Sequence, residues 1–157
     1  MVNHHANAPD DPVGSCAYFS RLIGSDPDLV LHGGGNSSVK APWPDITGRI
    51  YEAIFVKGSG WDMGGLEVDG LTALHLHRLR ELLKLDELSD VAMMRELAAA
   101  KFDPGAPNPS VETLLHAFLP YPAVQHSHAD VIVTLTNLAS PDALVREVYG
   151  DDVVVIP

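Results

Sequence analysis

One cysteine, Cys16, stands alone in 157 residues. It excludes an internal disulfide and any zinc site built from thiolates alone, and it fits a reducing, cytoplasmic setting. Positive charge is also scarce. Ten Lys and Arg face twenty-one Asp and Glu, for a formal charge of −11, and a field of that sign repels nucleic-acid phosphate and anionic membrane surfaces. No window approaches the roughly 18 to 20 apolar residues of a spanning helix, and Met1 to Pro12 has no basic stretch followed by an apolar run. These features lead to the expectation of a soluble, cytoplasmic chain with neither nucleic acid nor membrane as partner. A small anionic ligand stays admissible, because a few backbone N–H groups, one Lys and a metal ion make a local positive pocket within an acidic protein.

What is present reads as one folded domain. Hydrophobic residues make up 46% of the chain, enough for a sizeable core, and there is no internal repeat, low-complexity tract or linker. Residues 1–12 read as a flexible, polar lead-in that includes His4 and His5, and residues 13–157 as the domain. Asp11 to Ile23 has helical spacing, with Pro12 in the first turn. Asp28 to Leu31 reads as a short strand running into Gly33-Gly34-Gly35-Asn36, with Ser37 to Lys40 returning as its hairpin partner. Pro42 to Gly48 reads as a turn-rich loop. Ile50 to Lys57 reads as a strand ending in Gly58-Ser59-Gly60. Leu71 to Leu85 has the apolar spacing of a helix, on which His75 and His77 splay apart by about 200° and share no metal. Asp90 to Ala100 is a further helical pattern. Ser110 suits the N-cap of a helix from Val111 to Phe118. Val131 to Leu138 is compatible with strand or helix, and Asp152 to Pro157 begins an apolar strand.

The chemistry-bearing stretch is Gln125-His126-Ser127-His128. On a strand, residues i and i+2 project from one face, so His126 and His128 can close on one small cation, and neutral imidazole suits zinc. Glu112, in the first turn of its helix, is either a carboxylate stabilised by the helix dipole or a general base beside the metal. His116, four residues on, reads as a hydrogen-bond partner on the helix face. Three turns rich in glycine or hydroxyl groups, Gly35-Asn36-Ser37, Gly58-Ser59-Gly60 and Pro109-Ser110, offer backbone N–H groups that together could cradle one phosphate. None matches the dinucleotide or P-loop signatures.

His32-Gly33-Gly34-Gly35-Asn36-Ser37-Ser38, Lys57-Gly58-Ser59-Gly60, Pro109-Ser110-Val111-Glu112 and His126-Ser127-His128-Ala129, in that order, resemble the class II aldolase/adducin family. The stretches 109–120 and 126–137 are most similar to the aldolase portion of bifunctional rhamnulose-1-phosphate aldolase/alcohol dehydrogenases. The resemblance implies an α/β fold, a three-layer α/β/α sandwich around a mainly antiparallel sheet. It implies zinc (Zn2+) held by His126 and His128, Glu112 as the acid/base residue, and phosphate binding by Asn36, Ser59, Gly60 and Ser110. It also makes 130–138 helical and implies a homo-oligomer, a tetramer. Val111 stands where simple sugar-phosphate aldolases often carry a second serine.

The activity implied is zinc-dependent aldol cleavage of a ketose phosphate, rhamnulose-1-phosphate-like, through an enediolate. Family members supply a third zinc histidine after the His-x-His pair, and this sequence has none beyond His128. The expectation is therefore a C-terminally truncated chain, inactive by itself although its parent family is catalytic. Two alternatives stay open: a sugar-phosphate 4-epimerase on the same fold, and a non-catalytic, adducin-like binding or oligomerisation module.

Overall fold

The computed structural model describes residues 4–156. His4–Asn7 makes one 3-10 turn, and Pro157, with the first three residues of the lead-in, lies outside the described range. Helix α1 (Pro12–Gly24) begins where Asp11 accepts a hydrogen bond from the Gly14 N–H and Pro12 occupies the first turn, a pairing that satisfies an orphan donor with a residue needing none. Strands β1 (Asn36–Pro44), β2 (Ile50–Lys57), β3 (Leu71–His75) and β4 (Ala123–His126) form one sheet in the order β3-β2-β1-β4. Every neighbouring pair is antiparallel.

The period-two rule divides the core. Ala53 and Phe55 of β2, Val39 of β1 and Leu71 and Ala73 of β3 pack with Cys16 and Ala17 of α1 on one face. Ile54, Val56 and Leu74 point the other way, onto Leu76 and Leu79 of α2 (Leu76–Glu81), Leu97 of α3 (Asp90–Ala99) and Ala117 of α4 (Thr113–Phe118). Helices on both faces of an antiparallel sheet are the three-layer α/β/α arrangement that the resemblance implied. Two further helices, α5 (Asp130–Thr136) and α6 (Pro141–Tyr149), pack against each other. No described helix is long and apolar enough to cross a membrane.

Several local expectations are corrected. Asp28 to Leu31 is a run of turns: Asp26 accepts from the Asp28 N–H through its side chain and from Leu29 and Val30 through its carbonyl. An Asx turn from Asp26 across Pro27 outcompetes a four-residue strand. Ser37 to Lys40 accordingly belongs to β1, which pairs with β2 and β4 and runs on through Pro42 to Pro44. Leu71 to Leu85 is strand β3 followed by the short helix α2. Leu71, Ala73 and Leu74 are buried on both faces of the sheet, and a strand buried on both sides reads as a continuous apolar run that spacing alone does not separate from a helix. Of the 130–138 segment, Asp130–Thr136 is helical as α5. Residues 152–156 make no ladder, with Val154 and Ile156 largely exposed. High β-propensity produces a strand only beside another backbone.

Candidate metal and anion site

The site lies where β4 and β1 meet the start of α4. Antiparallel register sets Asn36 of β1 opposite His126 of β4. Alternation along β1 sends Asn36 and Ser38 towards α4 and Ser37 towards α1, as their partners show: Glu112, His116 and Ser20 respectively. His126 closes β4, and His128 lies just past the strand, tied down by its N–H donating to Leu29 O at 2.9 Å. The two imidazoles keep their shared face, with ring centroids 4.8 Å apart. Helix α4 starts at Thr113, two residues later than expected, with Glu112 at its N-cap. Ser110 caps the preceding turn instead, its Oγ accepting from the Glu112 N–H and its carbonyl accepting from Thr113.

This geometry brings one ligand atom each from Glu112, His126 and His128 within 4.8 Å of one another, the only such trio of His, Cys, Asp or Glu among the described residues. His126 Nδ1 is buried and has no hydrogen-bond partner, although it lies 3.3 Å from Glu112 Oε2. A buried polar atom without a partner, beside a carboxylate and a second imidazole, fits a bound divalent cation, and two imidazoles with one carboxylate are a donor set that catalytic zinc uses. The carboxylate is the one group among the described residues placed to add a third ligand atom to the two imidazoles. Burial pushes the Glu112 carboxyl up, but the His126 ring and hydrogen bonds from Asn36 and Ser110 outweigh it and hold the group below its ordinary value. Glu112 is therefore an anion at neutral pH.

The three turns also converge. Gly58 bridges to Pro109, and the Ser59 N–H donates to Asn108 O at 2.8 Å. A Cβ on Gly33 would lie 3.5 Å from Gly60 O, and one on Gly34 would lie 3.1 Å from His128 Nδ1. The first is an ordinary contact and the second a tight one; glycine is required at Gly35, where a Cβ would lie 2.8 Å from His126 O at φ +68°, and at Gly60, at φ +78°, for its backbone conformation. Ser59 and Gly60 are exposed at the turn, Ser110 lies almost buried with its Oγ 3.4 Å from Glu112 Oε2, and Asn36 is fully buried.

Two residues of this site carry roles the sequence reading missed. Lys57 is the only buried Lys or Arg among the described residues. Its Nζ donates to Trp61 O at 2.7 Å and lies 3.5 Å from Gly33 O, beneath the junction of the two glycine turns. Burial pushes its pKa down, and the Glu112 and Asp62 carboxylates oppose that shift. The available signal was a Lys at the end of a strand just before Gly-Ser-Gly. His116 is fully buried, with Nδ1 2.8 Å from Ser38 Oγ and Nε2 unpartnered. Its pKa is pushed down to about 4, by burial first and then by the His126 ring, so it is a neutral support behind the site. Its hydrogen bond goes to β1 and not to its own helix face.

Known proteins resemble this chain over different spans. A family model described as the Class II Aldolase and Adducin N-terminal domain matches residues 15–157. YuxG of Bacillus subtilis (strain 168), described as an uncharacterized oxidoreductase, is 39% identical over 145 residues, which are 92% of this chain and 21% of that relative. The chain thus spans about a fifth of the curated relative. The N-terminal Class II Aldolase domain of a conserved protein from Thermoplasma acidophilum superposes with a TM-score of 0.85 at 44% identity, over 91% of this chain and 67% of that one. On the match across nearly its whole length, the chain belongs to the class II aldolase and adducin N-terminal domain family.

Proposed function

We propose that this domain carries out zinc-dependent aldol cleavage of a ketose phosphate, with rhamnulose 1-phosphate the first substrate to test. The observation that carries the reading is the meeting of Glu112, His126 and His128, from the N-cap of α4, β4 and the loop after it, beside three turns rich in glycine or hydroxyl groups. His126 and His128 would hold the metal, and Glu112, close enough to join them, is what favours an active domain over the inactive fragment expected from the missing third histidine. A bound divalent cation supplies Lewis-acid polarisation of the substrate's carbonyl and hydroxyl oxygens. Glu112, anionic and oriented by its neighbours, moves the proton at the carbon beside the carbonyl as the carbon–carbon bond breaks or forms. Ser59, Gly60 and Ser110 would bind the phosphate, with Lys57 beneath them as its countercharge. Asn36, expected in the same role, shares that edge of the site. The placement of Lys57 supports a phosphorylated substrate, because a dry ammonium hydrogen-bonded only to carbonyls is stabilised further by an arriving anion.

The test is to incubate the zinc-loaded chain with rhamnulose 1-phosphate and follow dihydroxyacetone phosphate. The expected result is release of that triose phosphate, with Lys57→Met raising KM about tenfold or more and changing kcat less. Interconversion of ketose phosphates without cleavage would replace the reading with the 4-epimerase alternative. Stoichiometric zinc with no turnover on any ketose phosphate would favour a binding module.

A further inference from the structure

Asn36 is the polar side chain in this site whose geometry departs furthest from its expected use. It is fully buried, and both ends of its amide are engaged. Oδ1 accepts from the Ser37 backbone N–H at 2.8 Å, and Nδ2 donates to Glu112 Oε2 at 3.1 Å. A backbone donor at one end and a carboxylate at the other fix which end is oxygen and which is nitrogen, so the amide has one orientation. Register places the residue directly across from His126. It therefore spans from the strand beside one candidate metal ligand to the carboxylate on α4.

The contacts of Glu112 are lopsided. Oε2 accepts from Asn36 Nδ2 and from Ser110 Oγ at 3.4 Å, and the His126 ring lies 3.3 Å from it. Among the described residues no group hydrogen-bonds Oε1. Anchoring one carboxylate oxygen fixes the rotamer of a side chain that otherwise has three free torsions, and leaves the other oxygen for chemistry.

We propose that Asn36 is a positioning residue that acts on the reaction through Glu112, holding the carboxylate beside His126 and His128, and that it is not a phosphate contact. The inference rests on the metal reading above for its functional consequence, while the Asn36–Glu112 tie itself is a property of the metal-free protein. Asn36→Asp is the informative substitution. It keeps the acceptor for the Ser37 N–H and replaces the donor that faces Glu112 with a second carboxylate.

The experiment has two parts, both on the whole chain. In the metal-free protein, urea unfolding is compared for wild type, N36D, E112Q and N36D/E112Q. The expected pattern is an unfolding equilibrium constant raised about tenfold or more in N36D and largely restored in the double variant, where the introduced carboxylate accepts from the introduced amide and the tie is remade with its polarity reversed. Independent, multiplicative effects would overturn the tie. In the second part, zinc affinity is read by competition with a chromophoric chelator and inorganic phosphate affinity by calorimetry. N36D should weaken zinc binding about ten- to a hundredfold and leave phosphate affinity within about twofold, and the stability-restored double variant should not recover zinc binding. Phosphate affinity reduced tenfold with zinc unchanged would make Asn36 a phosphate contact and sink the proposal. A wild-type chain that takes up no zinc would remove the metal reading, and the unfolding comparison would still decide the tie.

Discussion

The chain contains two His-x-His pairs, and they meet opposite fates. His75-Leu76-His77 spans the junction of β3 and α2. His75 lies with its ring centroid 3.7 Å from that of Phe102 and 5.3 Å from that of Tyr51, and burial, then Arg78, push its pKa down. His77 points to solvent, 3.9 Å from Glu81. His126-Ser127-His128 spans the end of β4 and the following loop, and its rings stay together with Glu112 beside them. Spacing is identical, so spacing does not make the site. A helix that starts between two histidines turns the second away, whereas an extended exit keeps both on one side. A carboxylate then has to arrive from elsewhere, here at the N-cap of α4.

The largest effect that would break this comparison concerns the two neighbouring carboxylates. Glu112→Gln should lower ketose-phosphate cleavage by about a hundredfold to ten-thousandfold, the range of a lost general base, while Glu81→Gln beside His77 should leave it unchanged; steady-state rates of both variants check this. Equal effects would remove Glu112 from the chemistry.

Next in size is a dependence of stability on pH. Folded His116 takes a proton only near pH 4, against an ordinary value of 6.5. Between those values the unfolded chain binds more protons, so falling pH favours unfolding. The contribution is complete above the ordinary value and is lost on acidification towards the folded one. It amounts to about 2 kcal/mol between about pH 7 and pH 5. Urea midpoints at the two pH values, with His116→Gln as reference, measure it; a variant with the same pH slope as wild type would contradict it.

The smallest effect belongs to the other pair. His75→Phe keeps a ring against Phe102 and Tyr51, so stability should change by less than about 1 kcal/mol and metal content should not change. Thermal melts and metal analysis of that variant suffice. A loss of metal would mean that the comparison had been drawn between the wrong pairs.

The legible parts of this molecule are those governed by local pattern. Helix α1 announced itself through Asp11 and Pro12, β2 through its alternation, and the site through four short motifs whose order was more telling than any one of them. Element type was illegible where burial on both faces erased the alternation, as in 71–75. It was illegible too where a side-chain turn pre-empted an apolar tetrapeptide, as in 28–31. The partnerships within the site were not written locally either. Asn36 and Glu112 are 76 residues apart in sequence and His116 and Ser38 are 78 apart, so only the register of β1 with β4 and the docking of α4 join them. Lys57 is a similar case. A Lys before a glycine turn is ordinary until the fold buries its stem and leaves carbonyls as its hydrogen-bond partners.

The most direct test is the zinc stoichiometry of the purified chain and of two double variants, His126→Ala/His128→Ala and His75→Ala/His77→Ala. The expected result is one zinc per chain in the wild type and in the His75/His77 variant, and none in the His126/His128 variant. Zinc retained without His126 and His128, or lost without His75 and His77, would contradict the assignment of the site.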